Sequence, residues 1–143
     1  MTLPRRKNRI PRWASAAIAA SLVGVTPPAH GQAIRLIGAT AAGNPVLVES
    51  RTLHREASIV TATVRVKFAK PVKTPGGDWW SSRTRLAFDC TARTVKIFEN
   101  WYFGDTTFKK VVSHSVSGQP AFGTVMGGSM TSVGYDALCP LKK

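Results

Sequence analysis

The sequence predicts an α+β domain in which an antiparallel sheet carries one short helix on one of its faces. Three observations point there. "SIVTATVRVKF", residues 58–68, alternates strictly, with Val60, Ala62, Val64, Val66 and Phe68 on one side and Thr61, Thr63, Arg65 and Lys67 on the other. A period of two with β-branched residues is the mark of a half-buried strand. Further strand-like segments follow at hairpin-length spacing, and a capped, partly apolar stretch stands before Pro140 at the C-terminal end.

The elements follow in order. Residues 34–44, "IRLIGATAAGN", are small and weakly patterned and are expected to form an extended lead-in, and "PVLVES" a short strand. The strand of residues 58–68 leads into "AKPVKTPGGDWWSS", whose two prolines and glycine pair predict a loop or long hairpin connection. Arg83 to Cys90 places Leu86, Phe88 and Cys90 on one face and Arg83, Arg85 and Asp89 on the other. "TAR" makes a tight connection, and Thr94 to Phe103 runs back with Val95 and Ile97 inward. "GDTT" is a second turn and "FKKVVSHSV" a further strand. After "MGGSM", Ser129 is placed to cap a short helix through Leu138, with Met130, Val133, Ala137 and Leu138 on one side and Gly134 as its weak point.

The N-terminus sets the compartment. Five basic residues without an acid precede an apolar run from Trp13 to Val25, followed by prolines and small residues. This is the layout of a secretory signal peptide, and the run is too short to span a bilayer. Cleavage is expected after Ala33, to within about two residues, which leaves residues 34–143 as a single domain with its core at 46–140. "RRKNR" lacks the hydrophobic residues of a twin-arginine signal, no cysteine near the cut offers a lipid anchor, and no later run is long enough to cross a membrane. In an oxidising compartment two cysteines in a small domain form a bridge, and only Cys90 with Cys139 is available. Cys90 faces the buried side of its strand, so a helix packed over that side brings Cys139 to it.

Four short stretches carry a resemblance: "FDCTARTVKIF", "YFGD", "GGSM" and the final "LCP". From about Val46 to Pro140 the chain resembles the surface-adhesin protein E family of exported bacterial proteins. The resemblance implies a sheet of about six antiparallel strands, a C-terminal helix tied through the Asp-Cys cysteine to the last one, and contact with external macromolecules. The chain departs from the family pattern at Phe68, where many members carry tryptophan, and at Gly127-Gly128-Ser129, where Pro-Gly-Ser is common. No binding residue is carried over by motif.

Catalysis finds no support in the residues. Glu49, Glu56, Asp78, Asp89, Glu99, Asp105 and Asp136 form no recognisable acid-base pair, and His54, His114 and the serines fit no nucleophile signature. There is no CxxC, no metal-ligand spacing and no phosphate-cradling loop, so no metal and no cofactor is expected. Binding is the better class. Residues 34–143 hold fifteen Lys and Arg against seven acids, a net of +8. Arg65, Lys67, Arg83, Arg85 and Lys96 fall on outward positions and predict a basic sheet face. Its expected partner is an anionic envelope component, a polysaccharide or an acidic extracellular protein, and the same charges would also keep an exposed sheet soluble. Trp79 and Trp80 point to opposite sides, one toward the core and one outward for sugar or protein contact. Nucleic acid is not expected, because an exported protein has little routine access to it. Two uses fit: adhesion at the outer surface, or a periplasmic role in envelope maintenance or enzyme inhibition, toward which the missing lipid-attachment cysteine points.

Overall fold

A computed structural model of the chain describes residues 33–140. The expected signal segment lies outside them, Ala33 excepted. Eight strands and one helix make up the fold: β1 (Ile34–Ala39), β2 (Pro45–Glu49), β3 (His54–Glu56), β4 (Ile59–Val72), β5 (Trp79–Asp89), β6 (Thr94–Phe103), β7 (Val111–Val116), β8 (Gly123–Thr124) and α1 (Met130–Leu138). All pairings are antiparallel and the main order is β1-β2-β4-β5-β6-β7. The short strands add to lanes already occupied, β3 beside β4 and β8 beside β6. The sheet is therefore six strands wide, as the family resemblance implies, although eight segments build it.

The alternation of β4 behaves as read. Val60, Ala62, Val64 and Val66 are all buried, and with Val46, Val48, Leu86, Phe88 and Val95 they form the apolar inner face. Each such side chain removed from water contributes roughly 1.5–3 kcal/mol. The extended segment before β2 belongs to the sheet, because residues 34–39 pair with β2 as an edge strand. The supposed loop at "AKPVKTPGGDWWSS" is also shorter than expected. β4 continues through Pro71 to Val72 and β5 already begins at Trp79, which leaves residues 73–78 as the connection. Proline has no ladder N–H, and the regular β4–β5 register is broken between Lys67 and Val72, where Pro71 does no harm.

Three consecutive residues explain "FDC". Phe88 is fully buried in the core. The Asp89 carboxylate accepts the backbone N–H groups of Thr91 and Ala92 at 2.9 and 3.1 Å and so builds the turn into β6. Cys90 is bonded to Cys139 with Cα atoms 5.4 Å apart. The helix begins where its cap predicts: the Ser129 hydroxyl accepts the Ser132 N–H. Its buried side is set by Ser132, Gly134, Tyr135 and Leu138, with Met130 and Val133 packed alongside, whereas Ala137 is exposed. Tyr135 takes the place expected of Ala137, because its hydroxyl donates to the Cys90 carbonyl at 2.7 Å and its ring meets Phe88 edge-on. Gly134 is the point of closest approach, since a Cβ there would lie 2.8 Å from Phe88 Cζ. What reads as a weak helix residue is what lets the helix seat.

Candidate functional site

The opposite face of the sheet holds the predicted cations. Strand register places Leu47, Arg65, Arg83, Trp101 and His114 in one line across β2, β4, β5, β6 and β7. Glu49, at the end of β2, reaches into this line: its Oε1 accepts Arg65 Nε and Arg83 Nε at 2.6 Å each, and its Oε2 accepts Arg83 Nη2 at 3.0 Å. Burial of Glu49 works against its charge, yet the hydrogen bonds and charges of Arg83 and Arg65 outweigh it and hold its carboxyl below the ordinary 4.5. The same contact raises Arg83. Arg83 lies 4.8 Å from the Trp101 ring centre, and Trp101 stacks on His114 at 4.9 Å with planes 6° apart. His114 Nε2 is 2.7 Å from Glu99 Oε1. Arg65 in turn covers Phe108 at 4.8 Å.

The line is thus tied together by one shared carboxylate and by stacking. Beside it runs a shallow cleft of about 600 Å³ lined by Thr52, His54, Thr63, Arg83, Arg85 and Trp101, among others. Three of the predicted cations have no carboxylate partner among the described residues: Lys67, Arg85 and Lys96. Lys67 and Arg85 are exposed and Lys96 is half-buried. Arg85 lies 5.4 Å from the Phe98 ring, and Lys96 lies 5.9 Å from Phe98 and 4.4 Å from Phe122. Lys67 pairs with Ser81, Arg85 with Thr63, and Lys96 with Ala87. Six residues of β5 separate the first and last of these rungs, so the cations run along roughly 20 Å of sheet.

The five expected basic residues share one face, but they divide into two kinds. Arg65 and Arg83 are fixed by Glu49, and Lys67, Arg85 and Lys96 are the free charges. Of the tryptophan pair, Trp79 is half-buried and stacks on Tyr102 at 3.8 Å, and Trp80 is 38 % exposed. Neither lines the cleft. The sequence hides Trp101, because Val95 and Ile97 point inward and strict alternation carries residue 101 inward too. Phe98 is an extra residue: Leu86 pairs with Ile97 and Arg85 with Glu99. This bulge reverses the alternation and turns Trp101 onto the outer face. Glu49 was missed because only the β2–β4 register shows that it reaches the two arginines. Among the described residues no group of three or more His, Cys, Asp or Glu is placed to hold a metal ion, and no helix is long and apolar enough to cross a membrane.

Comparison with known proteins accords with this architecture. The family model described as surface-adhesin protein E matches residues 35–140. A crystal structure of Haemophilus influenzae protein E, crystal form II, is similar with a TM-score of 0.52 at 11% identity, covering 76% of this chain and 87% of that one. A second structure of the same organism's protein E gives a TM-score of 0.50 at 9% identity, covering 76% and 84%. Among curated proteins nothing matches.

Proposed function

The chain belongs to the surface-adhesin protein E family, and from that premise we propose that it is an exported, adhesin-like binding protein, without catalysis of its own, whose outer sheet face holds an extended polyanion. The observation that carries this reading is the division of the cations. Arg65 and Arg83 share the Glu49 carboxylate, whereas Lys67, Arg85 and Lys96 stay free of carboxylates among the described residues. Charges spaced over roughly 20 Å suit a chain of acidic sugars or an acidic protein strip better than one isolated phosphate. Phe98 and Phe122 beside Arg85 and Lys96 add apolar faces on which sugar rings can lie. A surface-adhesin family also favours the outer surface over the periplasmic alternative.

Serine at Lys67, Arg85 and Lys96 together should lower the salt concentration at which the protein leaves a sulfated polysaccharide matrix, with thermal stability unchanged. Unchanged retention at low salt would overturn the proposal. Residence is tested separately: external protease should digest the tagged protein on intact cells while a periplasmic control survives. Protection of both would return the periplasmic role to first place.

A further inference from the structure

The two edges of the sheet differ in how they end. At β1 the register slips between Leu36 and Gly38, and Gly38 has φ +154°. A Cβ at Gly38 would lie 2.7 Å from Val133 of α1, so the helix crowds this edge. Arg35 adds a charge. Bulges, charges and covering helices are the usual means of keeping an edge from pairing. β7 has little of this. Val111–Val116, "VVSHSV", contains no charged residue and no proline, and among the described residues nothing pairs with its far side. After a one-residue slip at Val112 its ladder with β6 is regular from Ser113 to Val116, and the Ser117 N–H closes it on the Phe98 carbonyl at 2.9 Å.

That last bond sets which groups are open. Since Ser117 donates toward β6, Ser115 and Ser113 do so as well, and the N–H and C=O groups of His114 and Val116 face away from the sheet. The two ends of the edge carry accessible apolar side chains, Val111 54 % and Val116 67 % exposed, with Ser113, His114 and Ser115 between them. The charge is at one end only. Lys109 and Lys110 precede the strand with exposed side chains that no carboxylate meets among the described residues, while Asp105 is occupied with their backbone N–H groups at 3.1 Å each. Ser117, Gly118 and Gln119 at the other end are neutral.

We propose that β7 is a docking edge for an extended acidic peptide of another protein, which adds antiparallel to it with apolar side chains beside Val111 and Val116 and its acidic C-terminal residues at Lys109 and Lys110. An antiparallel direction continues the sheet, and it places the C-terminal end of the guest at the N-terminal end of β7. Main-chain bonds hold the guest, and the two lysines fix its direction.

The probe is a fluorescent heptapeptide of alternating valine and threonine ending in two aspartates. Binding should slow hydrogen exchange at the His114 and Val116 amides, and a peptide of equal charge with a central proline should not bind. Val116→Pro removes an outward N–H while leaving the β6 ladder intact and should weaken binding by about tenfold or more. Val116→Glu, at a position already exposed, places a charge like the guest's on the edge and should weaken it too without touching the backbone. Glu at both Lys109 and Lys110 should weaken the acidic peptide, and Ser at Lys67, Arg85 and Lys96 should not, which separates this site from the polyanion face. Undiminished binding in both Val116 variants would overturn the proposal. So would a free protein that sediments as a dimer with those two amides already protected, since a second copy would then own the edge.

Discussion

In the middle of β4 the chain alternates between side chains sealed in the core and side chains on the outer face, Val64 and Val66 on one side and Arg65 and Lys67 on the other. The inner side is held mainly by apolar burial, which has no direction, and is fastened by the disulfide and the Tyr135 hydroxyl. The outer side is held by directional contacts, from Glu49 through two arginines to Trp101 and His114. Because neighbouring residues of one strand serve the two sides, stability and surface charge can be altered independently. Changes to the inner face should unfold the protein before they alter its charges. Changes to the free cations of the outer face should do the reverse.

The largest effect belongs to the bridge. Cys90 and Cys139 are 49 residues apart, and they join α1 to the end of β5. The loop-entropy relation assigns about 4 kcal/mol to closing such a ring. Serine at both positions should therefore lower the urea midpoint by most of a small domain's stability, while the protein that remains folded keeps its retention on a polyanion matrix. Loss of retention in the folded fraction would mean that α1 also shapes the outer face. Gly134→Val should act next in size. It adds a side chain 2.8 Å from Phe88 where none fits, at a cost of roughly 1–3 kcal/mol, whereas the gain in helix propensity over glycine stays below about 1 kcal/mol. A melting temperature equal to that of the natural protein would show that the helix does not depend on this contact.

How much of this was legible differs between the faces in the same way. The inner face writes itself in the sequence because burial obeys a period: Val60 to Phe68 by alternation, Ser129 by its capping position, and Cys90 with Cys139 by being the sole pair. Gly134 was legible only as a fault, since sequence shows its low helix propensity and not the ring above it. The outer face depends on register. One extra residue at Phe98 turns Trp101 outward, and one pairing, Val48 with Val64, brings Glu49 to the arginines. Neither event leaves a periodic trace. The sequence placed the cations on one side correctly, but it could not tell which of them are already spoken for.

Glu49→Gln is the smallest of these changes in energy and the most instructive. The carboxyl is held below its ordinary pKa, so it contributes stability in full above about pH 4.5, and that contribution fades as pH falls through the lower folded value. The amide keeps the shape but loses the charge. At pH 7 the variant should be less stable by about 1–2 kcal/mol, between the weight of an exposed ion pair and that of a buried one. In strong acid the gap should close, because the natural carboxyl is then neutral as well. Urea unfolding with the disulfide intact at the two pH values checks this, and a gap that persists in acid would assign Glu49 a packing role in place of a charge role. The same variant frees Arg65 and Arg83 from their counter-ion and leaves both on the outer face proposed to hold a polyanion. Retention on the sulfated matrix should therefore rise while stability falls, a divergence that no general loosening of the fold produces.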